Sequence, residues 1–169
     1  MTMARILLDT CVLIALSDDS RKNHGNAVEY VSAAVEQGHV VCVSALSVAE
    51  FSVKEDFGKI IEMFPEINVE AFDCAYAEEA AKLYVPERGE NPDVSRNLLK
   101  VDTMLIGQAV ASGLDIILSE DEASLIRWAK AYCSRKGIPL RTISISETFS
   151  PSAYAPDGQQ DLPLPESEQ

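Results

Sequence analysis

Arg5-Ile6-Leu7-Leu8 is a short apolar run that stops at Asp9-Thr10, and Val12-Leu13-Ile14-Ala15-Leu16 then resumes with helical character. A buried strand that ends in a carboxylate and passes at once into a helix is the geometry of a ligand site at the carboxyl edge of a parallel sheet. The rest of the chain repeats that logic, with short apolar runs separated by helical patterns.

After a first helix near Cys11–Leu16, a second is predicted over Gly25–Gln37, where Ala27, Tyr30, Val31 and Ala34 recur at i, i+3, i+4 and i+7. Gly38 is a natural stop, and Val40–Val43 reads as a second buried strand. Ser44 is a good N-cap for a helix running to about Phe57. A further short helix over Gly58–Met63 ends before Pro65, and Ile67–Phe72 alternates as a third strand. Ala75–Leu83 is helical by pattern and is expected to break at Tyr84-Val85-Pro86. The polar stretch Pro86–Asn97 then reads as a surface loop.

Helix resumes from about Leu98 to Ser112 and stops at Gly113. Asp115–Leu118 is the fourth strand, Ala123–Lys136 a helix stopped by Gly137, and Leu140–Ile143 the fifth strand. Strands alternating with helices imply a parallel sheet covered on both faces, with right-handed crossovers placing all strand ends on one edge. The organisation expected is one α/β domain over residues 1–149. Residues 150–169, rich in proline, glutamine and acids with little apolar content, read as an acidic, disordered tail.

At 169 residues with 47% hydrophobic and 24% charged composition, the chain has room for one core of this kind. The N-terminus enters a strand without a basic leader, and no apolar stretch approaches the roughly 20 residues that span a bilayer. A cytoplasmic protein with no membrane contact is expected. Four scattered cysteines without a CxxC pair fit reduced thiols better than a zinc site. A net charge of −13 argues against a generic polyanion binder. It fits a basic partner, or a site that gathers carboxylates around a divalent cation. Asp157, Asp161, Glu166 and Glu168 supply part of it from the tail, yet the remainder is acidic too.

Four acids stand where such a site would form. Asp9 ends the first strand, Glu50 lies two turns into the helix capped by Ser44, Asp102 is near the start of the helix before the fourth strand, and Asp121 follows that strand. Hard divalent cations take oxygen ligands, and a few carboxylates with retained water suffice to hold one. Without a cation, four clustered carboxylates repel and raise one another's pKa. Each also has a plainer reading. Asp9 serves equally as a helix cap, Glu50 as an i, i+4 ion-pair partner of Lys54, and Glu120 or Glu122 competes with Asp121. Asp102 is the hardest to explain as structural, because Leu98, Leu99, Leu105, Ile106 and Ala109 surround it at core-facing spacings.

Leu7-Leu8-Asp9-Thr10, Ser44-Ala45-Leu46-Ser47-Val48-Ala49-Glu50-Phe51, Lys100-Val101-Asp102-Thr103-Met104-Leu105-Ile106-Gly107-Gln108-Ala109 and Ile117-Leu118-Ser119-Glu120-Asp121 occur in an order and spacing that resembles the PIN-domain family. That family includes the toxin half of VapBC-type toxin–antitoxin pairs. The resemblance covers about Arg5 to Ile143. It implies a three-layer α/β/α sandwich with a five-stranded parallel sheet, and a Mg²⁺- or Mn²⁺-dependent endoribonuclease acting on single-stranded RNA. Asp9, Glu50, Asp102 and Asp121 would then be the metal-binding, catalytic acids, with Thr10 and Ser119 as hydroxyl supports. It further implies a homodimer and an antitoxin partner whose basic segment enters the acidic site.

Cys11 departs from the Asn or Ser usual in that family after the Asp-Thr pair. Two other readings compete with the nuclease: a catalytically weak binding or assembly module of the same fold, and a phosphatase using Asp9 as nucleophile. The phosphatase pattern expects a second Asp where Cys11 stands.

Overall fold

A computed structural model of the chain describes residues 3–90, 93 and 95–155. Five strands, β1 (Arg5–Leu8), β2 (Val40–Ser44), β3 (Asn68–Glu70), β4 (Ile116–Ser119) and β5 (Arg141–Ser144), form one sheet in the order β3-β2-β1-β4-β5. Every pairing is parallel. The helices are α1 (Thr10–Ser17), α2 (His24–Glu36), α3 (Ala45–Phe51), α4 (Gly58–Met63), α5 (Cys74–Glu90), α6 (Arg96–Ala111) and α7 (Leu125–Lys136). This is the three-layer α/β/α sandwich on a five-stranded parallel sheet that the sequence implied.

Alternation along the strands divides the core in two, because successive side chains leave opposite faces. Ile6, Leu8, Val41, Val43, Ile116 and Leu118 join a cluster with α1 and α2. Leu7, Cys42 and Ile117 face α6 and α7 instead. The three central strands are therefore buried on both sides, as their near-continuous apolar composition requires. Trp128, Tyr132 and Ile126 of α7 are core residues. Gly38, Gly113 and Gly137 all adopt positive φ just past helix ends, where a side chain would be strained.

The order of strands matters for function. From β1 the chain moves outward through β2 to β3, then returns to the other side of β1 as β4. Leu8 consequently lies beside Val43 on one flank and Leu118 on the other. The carboxyl ends of β1 and β4 flank the point at which the winding reverses, where open α/β sheets leave a crevice.

Three expectations need correction. The helix begun at Ser44 ends at Phe51, not Phe57. The Asp56 side chain accepts from the Gly58 amide at 2.8 Å and starts α4 afresh, while Phe51 and Phe57 pack edge to face. Helix α5 does not break before Pro86 but runs through it to Glu90, so the Pro86–Asn97 loop shrinks to the short link before α6. Tertiary contacts outweigh the lost backbone hydrogen bond there. Leu83 is fully buried, and Glu87, 2% exposed, binds Arg135 of α7 at 2.7 Å on the next turn.

The third correction concerns the tail. Ser150–Ala155 is seated on the protein rather than disordered. Tyr154 is buried, donates to the Tyr30 carbonyl at 2.7 Å and packs edge-on against His39. The Arg141 guanidinium holds the Ala155 carbonyl at 2.9 Å. The acidic part of the expected tail, 156–169, lies outside the described residues.

Candidate active site

Asp9 is the N-cap of α1, and its backbone amide donates to the Leu118 carbonyl, tying it to the end of β4. One carboxylate oxygen, Oδ1, accepts the Thr10 amide at 2.6 Å. The other, Oδ2, accepts the Ser119 hydroxyl at 2.7 Å and the Cys11 thiol at 2.9 Å. The cap thus takes one oxygen, while Ser119 and Cys11 hold the other. Burial pushes the Asp9 carboxyl above the usual carboxylate range, against the three donors that favour its charge, and nearby Asp121 adds to the rise.

Glu50 reaches the same place from α3, where its Oε2 accepts the Thr10 hydroxyl at 2.7 Å. Among the described residues it makes no ion pair with Lys54. Ser44 caps α3 as its sequence suggested, accepting the Leu46 amide at 3.1 Å. Asp102 projects from α6 and is 6% exposed, with Oδ2 buried and without a hydrogen-bond partner. Burial pushes its carboxyl up to about 7. The neighbouring Ser124 hydroxyl opposes the rise, and the charges of Asp9, Asp121 and Glu50 reinforce it. Asp121 follows β4. Its amide donates to Ser119 Oγ at 3.0 Å, and its carboxylate accepts the Ser124 amide at 2.9 Å and the Ser124 hydroxyl.

The four acids, Thr10 and Cys11 line one open cleft of about 510 Å³ at the reversal point of the sheet. Ser119 lies behind them, fully buried, bridging Asp9 and the Asp121 amide. Glu120 and Glu122 turn elsewhere, to Asn23 and Ser144 respectively. A somewhat larger cavity of about 600 Å³ lies between α7, β5 and the Tyr154 segment, but its charged lining mixes Arg127 and Lys130 with Glu122 and Glu147 and gathers no reactive set.

Cys11 is the site feature whose role sequence reasoning underrated. Its sulfur touches Asp9, lies 3.3 Å from Ser119 Oγ and accepts the Glu120 amide at 3.1 Å. The thiol therefore links the ends of β1 and β4, a polar role open to the Asn or Ser it replaces.

The donor set is all oxygen save that one thiol, which suits a hard divalent cation. The unpartnered buried oxygen of Asp102 and the mutual repulsion of the acids are what such an ion would relieve. As they stand, however, no three His, Cys, Asp or Glu side chains among the described residues are arranged to hold a metal ion. Glu50 and Asp121 are turned to Thr10 and Ser124 instead.

The profile of the PIN domain matches residues 6–131, which takes in all four acids. The chain belongs to the PIN-domain family. PIN domains are nucleases, so a hydrolytic site on nucleic acid is the chemistry of the family. Solved structures agree in fold. FitAcB from Neisseria gonorrhoeae superposes with a TM-score of 0.60 at 16% identity, covering 84% of this chain and 99% of that one. DNA-bound VapBC from Salmonella typhimurium gives 0.55 at 14% identity, over 85% and 99%. VapBC2 from Rickettsia felis, bound to a promoter fragment, gives 0.53 at 13%, over 83% and 98%. No curated protein sequence matches the chain. Among the described residues, no helix is long and apolar enough to cross a membrane.

Proposed function

We propose that this PIN domain is a divalent-metal-dependent endoribonuclease that hydrolyses phosphodiester bonds in single-stranded RNA and serves as the toxin of a cytoplasmic toxin–antitoxin pair. The observation that supports it most is the meeting of Asp9, Glu50, Asp102 and Asp121 in one cleft, with a buried Asp102 oxygen left unpartnered. These four would hold Mg²⁺ or Mn²⁺. When bound, the ion supplies an activated water at neutral pH and offsets charge on the phosphoryl oxygens.

The chain's own residues do the positioning. Asp9 is locked by donors from Thr10, Cys11 and Ser119, so it enters the reaction with one orientation. Thr10 keeps Glu50 turned into the cleft, and Ser119 couples Asp9 to the segment that carries Asp121. The cleft is open to solvent on one side, which admits a strand and the attacking water.

The toxin reading draws on the VapBC neighbours in fold and on the sequence resemblance. It calls for an antitoxin that places a basic side chain, ideally an arginine with its planar fork, among the acids. A homodimer is part of the same reading.

The test is cleavage of total RNA by the purified, partner-free protein with Mn²⁺, with Mg²⁺ and with EDTA, beside Asp102→Asn. Discrete fragments that need metal and vanish in the variant are expected. A second reading, a binding module of low activity, is favoured by one observation: Glu50 and Asp121 bond to neighbouring hydroxyls without converging on a common point. A folded protein that cuts nothing in any lane and binds no Mn²⁺ at millimolar concentration would select that reading.

A further inference from the structure

The acids form only the floor of the cleft. Its side wall is apolar, and α6 and α1 build it by helical spacing. Leu98 and Val101 stand on the face of α6 that also carries Asp102, with Leu98 one turn before the carboxylate, and Ile14 is one turn beyond Thr10 and Cys11 on α1. Leu98 is 46% exposed, a large side chain left in water at a site whose reaction needs no apolar group. Asn97 lies beside it, with a side-chain amide able both to donate and to accept. Lys54 is the sole cation among the described residues lining the cleft.

That lining is at odds with ordinary grip on a nucleic acid strand. Proteins that track a single strand by its phosphates use a groove of Lys and Arg and release counterions on binding. Here 27 acids face 14 Lys and Arg over the whole chain, and a single ammonium stands among the described residues lining the cleft. Attraction must come from elsewhere. A nucleobase has an apolar face that a hydrophobic surface can cover, and Leu98 of the wall stands about one helical turn, some 5 Å along α6, from Asp102. A strand whose phosphate lies at the acids can therefore set an adjoining base against Leu98 and Val101.

We infer that the substrate strand is held in this cleft chiefly by the face of one base on the Leu98–Val101–Ile14 wall, with Asn97 meeting the base edge and Lys54 a neighbouring phosphate. The inference rests on the nuclease reading and specifies how that site takes RNA despite its charge. It makes the enzyme's affinity depend weakly on salt and strongly on the presence of bases.

The experiment measures fluorescence anisotropy of a short mixed-sequence RNA and of its abasic counterpart, equal in length and charge. Both are titrated in the cold with Ca²⁺, and the RNA is checked for integrity afterwards. Wild-type protein should bind the abasic strand about tenfold more weakly. Its log affinity should fall against log salt with a slope near −0.7, that of about one phosphate contact. Leu98→Ala should lose several-fold affinity for RNA while Leu98→Met retains it, with unchanged melting temperature and Mn²⁺ affinity in both, since the side chain is exposed. Equal affinity for the two strands with a steep salt slope, or an RNA affinity indifferent to Leu98→Ala, overturns the inference. If the same preparation still cleaves RNA, the nuclease reading survives that result. A protein that neither binds either strand nor cuts RNA overturns both.

Discussion

Asp102 concentrates the conflict between stability and function. A carboxylate at 6% exposure with an orphaned oxygen is costly, and its rise from 3.8 to about 7 measures that cost. Because the folded-state value is raised, the protonated form is favoured on folding. Stability from this group is full below about pH 4, falls as pH rises, and is gone above about 7. The penalty then amounts to no more than about 4 kcal/mol in the metal-free protein. Asp102→Asn should therefore melt higher than wild type at pH 8 in EDTA, with the advantage vanishing near pH 4. Adding Mn²⁺ should raise the wild-type melting temperature by mass action and leave the variant nearly unmoved. A variant less stable than wild type at pH 8 would remove the claim of an uncompensated charge. Asp9 differs because both its oxygens accept hydrogen bonds, from Thr10, Ser119 and Cys11, so local geometry already absorbs part of the cost.

At the level of elements, the α5–α6 pair carries the far layer and sets where Asp102 stands. The contact depends on Gly107. A Cβ there would come within 2.5 Å of the Ala80 backbone nitrogen and 2.7 Å of its Cα, both incapable of giving way. Gly107→Ala should consequently cost about 1–3 kcal/mol despite the gain in helix propensity, read as a lower denaturation midpoint. It should also weaken Mn²⁺ binding, because α6 must back away from α5 by an amount that moves Asp102. Stability equal to wild type would mean that the helices slide apart freely. The same pair explains the passage of α5 through Pro86. Helical pattern stops at that proline in the sequence, whereas Leu83 and the Glu87–Arg135 pair hold the chain helical on either side.

For the whole molecule, the notable fact is how the end of the described chain closes the near core. Tyr154 fills a place against Tyr30, Phe149 belongs to the same aromatic group, and His39 supports it from beneath. His39 Nδ1 accepts the Ala4 amide at 3.1 Å, so this group joins the start of β1 to residue 154. Tyr154→Ala should cost about 3 kcal/mol, seen as a drop in melting temperature with RNA cleavage at low temperature unchanged. A chain cut after Phe149 should behave likewise. Full stability in either would show Ser150–Ala155 to be dispensable. Net charge acts at this scale too, through self-repulsion.

Local chemistry already carried most of the architecture. Period-2 and period-3.6 patterns, glycines at 38, 113 and 137, and the Ser44 cap each specify their own few residues, and each depends on neighbours close in sequence. That four acids would meet in one cleft was legible for the same reason, since each follows a strand end or sits on a helix at a telling position. What only tertiary structure decided were matters of distant contact. Leu83 and Arg135 carry α5 past Pro86, and Tyr30 and Arg141 seat Tyr154. Cys11 becomes a bridge only because β4 lies beside β1, and Leu98 belongs to a wall only because α1 stands opposite. Such outcomes rest on the energy of pairs more than a dozen residues apart along the chain, which no local pattern encodes.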